Sequence, residues 1–160
     1  MENKPNKIIW HHSADPDTGL QLSKINVAHK NRGFRKSSLG FYVGYHWLIE
    51  HNGLVIQCRE EGVMGAHDQG ENFGSIGVCL AGHFNSRKPT KAQEKATGKL
   101  VKEIMKRWSI RVTRLEPHRW GDPTDCPGTL LLDNWLAFNY IQYEINLITK
   151  IIQRIRLIFG

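Results

Sequence analysis

A histidine and a cysteine lie eight positions apart in a segment that is unsuited to a regular helix. They are His118 and Cys126, in the run Pro117–Gly128. The prolines of this run keep its backbone out of a helix and its glycines let it turn, so both side chains can be directed at one centre. Zinc accepts both imidazole nitrogen and thiolate sulfur as ligands. The pair therefore indicates part of a zinc site.

A third ligand is offered near the N-terminus. Lys7–Trp10 predicts a buried strand that ends in His11 and His12. Neighbouring strand residues point to opposite faces, so only one of these two histidines can face the metal. Three protein ligands leave one tetrahedral position for water, which is typical of a catalytic zinc. Taken alone, His11 is better explained as a hydrogen-bonded histidine at a strand end, because most histidines bind no metal.

Five short blocks of the sequence resemble the zinc-dependent N-acetylmuramoyl-L-alanine amidases, a family that includes amidase-type phage lysozymes and peptidoglycan recognition proteins. The blocks are Ile8–Ala14, Gly44–Ile49, Gly65–His67, Asn72–Val78 and His118–Gly128. They occur in the family's order and extend over roughly Lys7 to Trp135. Each block alone is a weak signal, and five in order are a strong one.

The resemblance implies a metal centre and a reaction. One zinc per chain would be held by His11, His118 and Cys126, and His12 would support the site or the fold. Water activated by the zinc would cleave the amide bond between N-acetylmuramic acid and L-alanine of the peptidoglycan stem peptide. Tyr45 would hydrogen-bond near the attacking water or the oxyanion.

Three further residues take roles from the same resemblance. Thr124, two positions before the cysteine ligand, would donate or orient a hydrogen bond in catalysis. His67 and Asn72 would lie on the cleft wall and bind the stem peptide. Each has a structural alternative: a turn residue for Thr124, solvated loop residues for the other two, and a half-buried strand aromatic for Tyr45. His46 is expected beside the sheet, and Asp122 and Asp125 are expected to shape the loop.

Hydropathy patterning predicts a single α/β domain with a central mixed β-sheet flanked by helices. The predicted strands are Lys7–His12, Tyr45–Glu50, Leu54–Arg59, Ser75–Ala81 and Arg111–Leu115. Asn52-Gly53 predicts a hairpin between the second and third strands, and the apolar fourth strand is expected to be central. One helix is predicted over Ser23–Asn31 with Ser23 as N-cap, and another from a capping box at Thr90 to Trp108.

The C-terminal segment has its own pattern, and the family resemblance does not extend over it. Isoleucines at 141, 145, 148, 152 and 155 and Phe159 are spaced four and three residues apart, which predicts an amphipathic helix. We therefore divide the chain into a zinc amidase domain, residues 1–138, and a helical extension, residues 139–160. The extension fits docking on its own domain, self-association or contact with an anionic membrane through residues 141–159. Docking on its own domain and self-association are favoured, because amphipathic helices more commonly pack against other helices.

Composition narrows the partners and the compartment. The net charge is +7, which favours binding to polyanions. No arginine-rich tract points to nucleic acid, so we do not expect nucleic acid as a partner. Met1–Lys7 lacks the apolar core of a secretory signal. We expect the chain to accumulate in the cytoplasm and to reach the cell wall after release. Cys58 and Cys79 are expected to be small buried residues, and a bond between them stays open.

The leading hypothesis is a peptidoglycan amidase of the phage or prophage endolysin type. A second hypothesis is a muropeptide-binding domain without catalysis. Binding-only relatives commonly lack the cysteine ligand, so Cys126 argues for the enzyme. A third is a regulatory protein that binds a polymerase, which no feature of the sequence tests.

Overall fold

The structure, a computed structural model, describes residues 2–159 and contains a mixed sheet of five strands in that range. In chain order the strands are β1 (Lys7–His12), β2 (Trp47–Ile49), β3 (Val55–Gln57), β4 (Ser75–Leu80) and β5 (Leu115–Pro117). Their order across the sheet is β3-β2-β4-β1-β5. The β2–β3 hairpin is antiparallel, while β4 pairs in parallel with β2 and β1, and β1 pairs in parallel with β5. The predicted α/β class, the hairpin and the central fourth strand are confirmed.

The two central strands are buried along their whole length, so each carries side chains into both faces of the sheet. On one face Ile8 and Trp10 join a core with helix residues such as Leu100 and Ile104. On the opposite face Leu48 and Cys79 form a smaller apolar cluster. The period-two alternation of β1 therefore sends Trp10 to the first face and His11 to the second.

Helix α1 (Leu22–Asn31) begins one residue earlier than predicted, and the proposed Ser23 cap is wrong. The carboxylate of Glu50, which is fully buried, accepts the backbone N–H groups of Gln21 and Leu22 at 2.9 and 2.8 Å. A helix N-terminus needs such an acceptor, and a distant carboxylate supplies it here in place of a local hydroxyl.

Helix α2 (Lys91–Trp108) has the capping box predicted at Thr90. Helix α3 (Trp135–Phe159) packs across it and starts earlier than the predicted repeat. Gly98 is the point of closest approach, because a Cβ added there would lie 2.5 Å from Tyr143 Cβ. The division proposed at residue 138 thus falls within one continuous helix. The side chain of Phe159, the last of the predicted repeat, and residue 160 lie outside the described residues.

Four of the five predicted strands have different bounds, of which the third and fourth are only shortened, to Val55–Gln57 and Ser75–Leu80. The strand expected over Arg111–Leu115 is wrong, because Val112–Arg114 form a 3-10 turn and only Leu115–Pro117 lie alongside β1. The second strand is shorter at both ends, since the carbonyl of His46 is taken by the N–H groups of Cys58 and Arg59 at 2.8 and 3.3 Å. Cys58 and Cys79 are buried and free. No helix in the described part of the chain is long and apolar enough to cross a membrane.

Candidate metal centre

The three predicted ligands converge at the carboxyl ends of neighbouring strands. His11 lies near the end of β1, and His118 directly follows β5. Together with Cys126 they offer one ligand atom each, all within 4.8 Å of one another. His11 Nδ1 lies 3.8 Å from Cys126 Sγ, and the two imidazole centroids are 4.4 Å apart. Residues that are more than 100 positions apart in the chain are thus brought together by the parallel pairing of β1 and β5.

Hydrogen bonds hold the loop that carries Cys126. The backbone N–H of Arg119 donates to the Cys126 carbonyl at 2.9 Å. The Arg119 guanidinium donates to the carbonyls of Gly128 and Leu131 at 3.0 and 2.8 Å. The backbone N–H of His12 lies 3.4 Å from the sulfur itself. The loop is therefore tied both to β1 and to the segment that leads into α3.

Each histidine ligand has one ring nitrogen engaged away from the centre. His11 Nε2 lies 3.2 Å from His67 Nδ1, which leaves His11 Nδ1 facing the sulfur. His118 Nε2 lies 3.3 Å from the carboxylate of Asp122 and 3.7 Å from that of Asp68. His118 Nδ1 is buried and has no hydrogen-bond partner among residues 2–159. A buried nitrogen without a partner is costly unless a ligand completes it.

Burial shifts the pKa of two of the predicted ligands, His11 and Cys126. It lowers the pKa of His11 well below its usual value, and the neighbouring His67 and His118 lower it further. Burial also raises the pKa of the Cys126 thiol to about 12, an effect that the His12 N–H opposes. A neutral His11 imidazole is ready to coordinate, and a divalent cation would have to displace the proton of the Cys126 thiol.

This donor set fits zinc. Zinc–nitrogen and zinc–sulfur bonds of about 2.0 and 2.3 Å at the tetrahedral angle put the two donor atoms roughly 3.5 Å apart. The distance from His11 Nδ1 to Cys126 Sγ is 3.8 Å. The unpartnered Nδ1 of His118 supplies the third donor. Two nitrogens and one sulfur leave a fourth position open, as in catalytic zinc sites.

Tyr45 lies against this centre. Its ring centroid is 5.1 Å from that of His11. Burial, followed by the nearby thiols of Cys79 and Cys126, raises the pKa of the phenol well above its usual value. The hydroxyl therefore keeps its proton and can act as a hydrogen-bond donor, on a ring that lies beside His11.

The remaining predicted site residues occupy supporting positions in the structure. The Thr124 hydroxyl accepts the backbone N–H of Cys126 at 3.2 Å, which is the contact of a turn residue. His67 is buried behind His11. The side-chain oxygen of Asn72 accepts the N–H groups of His67 and Asp68 at 2.6 and 3.0 Å. These contacts position His67, Asp68 and the loop that carries Cys126, and stem-peptide binding by His67 and Asn72 stays a prediction.

Two carboxylates, Asp68 and Asp122, lie near His118 Nε2, and the sequence does not predict this position for either of them. Asp68 has a side chain that is 1% exposed, and neither of its oxygens has a hydrogen-bond partner within the described range. Asp122, expected only to shape the loop, faces His118 Nε2. In the sequence, only the position of Asp68 directly after His67 could have drawn attention to it. A loop sequence does not show which of its carboxylates will be buried. His12 and His46 take the structural positions expected, accepting backbone N–H groups of Phe84 and Gly77 at 3.1 and 2.9 Å.

Known proteins are similar to this chain in both sequence and fold. A sequence model of the N-acetylmuramoyl-L-alanine amidase family matches residues 1–129. Peptidoglycan-recognition protein SC2 of Drosophila melanogaster is 33% identical over 137 residues, which cover 81% of this chain and 74% of that protein. The endolysin of Escherichia phage T7 is 31% identical over 134 residues, covering 80% and 83%.

A comparison with a solved structure shows the same similarity in the fold. The N-acetylmuramoyl-L-alanine amidase LysC from Clostridium intestinale URNW superposes with a TM-score of 0.72 at 30% identity, covering 90% of this chain and 87% of that one. The range matched by the family model, residues 1–129, contains His11, His118 and Cys126, which the fold brings together. The chain therefore belongs to the N-acetylmuramoyl-L-alanine amidase family.

Proposed function

We propose that this chain is a zinc-dependent amidase that hydrolyses the bond between N-acetylmuramic acid and L-alanine in peptidoglycan, and that it serves as an endolysin. The observation that carries the proposal is the convergence of His11, His118 and Cys126, with a buried His118 Nδ1 that lacks a partner in the described chain. The family match and the endolysin relatives support the same activity.

The chemistry divides between the cofactor and the chain. Zinc, when bound, supplies a Lewis acid that polarises the amide carbonyl and makes water a better nucleophile near neutral pH. His67, 3.2 Å from His11 Nε2, fixes which nitrogen of His11 is free to coordinate. Asp68 and Asp122 do the same for His118. The ligands are thereby held in the tautomers that coordination needs.

Tyr45 is the proposed donor to the oxyanion that forms on the carbonyl oxygen. Its phenol keeps a proton because burial raises its pKa, and it lies beside His11 at the centre. A donor held in place before the reaction stabilises developing negative charge without reorganising. We retain Thr124 as a second, weaker contributor that acts by orienting a hydrogen bond near Cys126. His67 and Asn72 are retained as the proposed contacts to the stem peptide.

The substrate and setting follow from the same proposal. The partners would be the muramic acid and stem peptide of peptidoglycan, and the +7 charge favours an anionic wall. Its relatives from Escherichia phage T7 and Klebsiella phage KP32 are endolysins, so we propose that the chain, too, reaches the wall after release from the cytoplasm.

Metal analysis and product analysis together test this proposal. Purified protein should contain one zinc per chain and should release new N-terminal alanine from cell walls. Replacing the sulfur ligand (Cys126→Ser) should sharply weaken zinc retention and abolish alanine release, because ligand softness governs the site. Cys58→Ser is the matched control, since that buried thiol lies outside the centre. Full zinc content and full activity in Cys126→Ser would refute the assignment, and wall binding without alanine release would favour a binding domain.

A further inference from the structure

The outer part of α3 extends beyond the rest of the fold. The helix is anchored by Leu136, which is fully buried, by Tyr143 against Gly98, and by an ion pair of 2.9 Å between Glu144 and Lys102. From Ile145 to Ile158 every residue is exposed. We call residues 145–158 the outer helix.

The outer helix carries an exposed apolar arc, of which only Leu147 faces a groove beside α2 within residues 2–159. Its members are Ile145, Leu147, Ile148, Ile151, Ile152, Ile155 and Ile158. Their relative exposure runs from 36% for Leu147 to 72% for Ile158. At about 100° per residue these positions share one side of the helix, while Asn146, Thr149 and Gln153 lie on the other. An apolar surface of this length is the mark of a contact site.

The charges of the outer helix have one sign. Lys150, Arg154 and Arg156 are its charged residues, and it contains no carboxylate. Arg154 and Arg156 each neighbour Ile155, so they lie about 100° to either side of the middle of the arc. Long basic side chains at the borders of an apolar face can reach lipid phosphates while the face itself is buried.

The charge pattern decides between the candidate occupants. A second copy of the helix would bring the same cations to the seam, and residues 145–158 hold no acidic side chain to pair with them. Within residues 2–159 no helix is long and apolar enough to cross a membrane. An anionic lipid surface meets both the apolar arc and its basic borders.

We propose that the outer helix binds the surface of an anionic membrane, lying in the interface with its isoleucines in the acyl boundary and its arginines at the phosphates. This binding is separate from the proposed amidase activity. The metal centre lies at the carboxyl ends of β1 and β5, whereas the outer helix projects from the layer that α2 and α3 form.

Co-sedimentation of the full chain with lipid vesicles tests the proposal. The protein should bind vesicles containing phosphatidylglycerol and phosphatidylcholine, should bind much less to phosphatidylcholine alone, and should be released by salt. The double variant Ile148→Gln, Ile152→Gln should weaken binding about tenfold or more, because two side chains lose their apolar insertion. The variant Arg154→Gln, Arg156→Gln should weaken binding to the anionic vesicles alone, by about fivefold for each charge.

A matched control places the same new side chains on the polar side of the helix. Asn146→Gln with Thr149→Gln should bind as the unchanged protein does, and circular dichroism should show equal helix content in all variants. The proposal is overturned if the unchanged protein binds neither vesicle, or if the isoleucine variant binds equally well. It is also overturned if sedimentation velocity shows a dimer that the isoleucine variant dissociates, since a second copy would then cover the arc. None of these readouts involves amide hydrolysis, so their failure leaves the proposed function untouched.

Discussion

The least predictable residues of the centre are the two carboxylates that share His118 Nε2. Asp122 is nearer, at 3.3 Å, but its side chain is 40% exposed, whereas the side chain of Asp68 at 3.7 Å is 1% exposed. Solvent screens the first interaction and not the second. We therefore expect Asp68 to have the larger effect on how firmly His118 holds a metal.

Neutral isosteres separate the two carboxylates. Asp68→Asn should weaken zinc affinity about tenfold or more, the usual effect of losing a partner behind a metal-bound histidine. Asp122→Asn, the matched control, should weaken it less. Competition with a coloured chelator at constant pH measures both, and thermal unfolding without metal checks that each variant folds. An equal or reversed ranking would contradict the role given to Asp68.

Tyr45 and Thr124 can be ranked by turnover. Tyr45→Phe removes the donor while leaving the ring against His11, so turnover should fall about a hundredfold with metal content and folding intact. Thr124→Ala should cost less, because its hydroxyl contacts the Cys126 backbone. Steady-state kinetics on cell walls and zinc analysis of each protein check the ranking. Unchanged turnover in Tyr45→Phe would make that residue a structural aromatic.

At this scale the sequence predicts ligands better than it predicts their supports. His11, His118 and Cys126 are recognisable because zinc restricts the residue types and the blocks occur in order. Asp68 is not, because its importance comes from burial beside a histidine 50 positions away. Burial of a loop carboxylate depends on tertiary structure and leaves no periodic trace in the sequence.

At the scale of elements, the contact between α2 and α3 depends on the missing side chain of Gly98. In an isolated helix Gly98→Ala would be stabilising by about 1 kcal/mol. In this fold the new methyl group would lie 2.5 Å from Tyr143 Cβ, so we expect a net loss of about 1–3 kcal/mol from overpacking. Urea unfolding measures the loss.

Two companion variants sharpen that experiment. Gly62→Ala is the control, since a Cβ there meets nothing within 4 Å, and it should change stability little. Tyr143→Gly should reduce the cost of Gly98→Ala in a double-mutant cycle, because it removes Tyr143 Cβ, the atom that would lie nearest the new methyl group. Additive effects would show that the two residues are not in contact.

The proposed division of the chain is tested by ending it at Phe138. All three metal ligands precede that point, and the family match ends at residue 129. The shortened chain should therefore keep zinc and some amidase activity. It should melt at a lower temperature, because Tyr140 packs on the core and Tyr143 on Gly98. If it fails to fold, α3 belongs to the amidase domain itself.

Elements with a strong local pattern were predicted well, and those set by distant contacts were not. The α2 capping box and the fourth strand follow from nearby residues. The start of α1 does not, since its acceptor is Glu50, 28 positions beyond Leu22. β5 was misplaced because its extent is set by its pairing with β1 rather than by its own apolar run.

At the scale of the whole molecule, buried neutral histidines make stability depend on pH. Burial lowers the pKa of both His29 and His46 to about 4, whereas an unfolded histidine titrates near 6.5. Below about pH 6.5 the unfolded chain therefore binds more protons than the folded chain. The free energy of unfolding should fall as the pH drops from about 6.5 towards 4, by about 1.4 kcal/mol per pH unit for each such group.

His46 offers a direct check of that slope. It is fully buried, accepts the N–H of Gly77 at 2.9 Å and lies 2.9 Å from the Val63 carbonyl. His46→Gln should have a lower free energy of unfolding than the unchanged protein at pH 7. Between pH 7 and pH 5, its free energy of unfolding should fall less than that of the unchanged protein. Urea unfolding at pH 7 and pH 5, with a chelator to remove metal effects, measures the difference. A variant with the same slope as the unchanged protein would contradict the assignment.

The position of β1 has a consequence for how the chain is made. Ile8, Ile9 and Trp10 leave the ribosome before the other four strands of the sheet, yet their partners on β4 are residues 76–78 and those on β5 are residues 115–117. A parallel pairing cannot form before its second strand exists, so this apolar strand stays unpaired on the β5 side until residues 115–117 have been synthesised. Translation that stops before Leu115 should therefore leave β1 without β5 and yield an inert, aggregation-prone fragment rather than a partly active lytic enzyme.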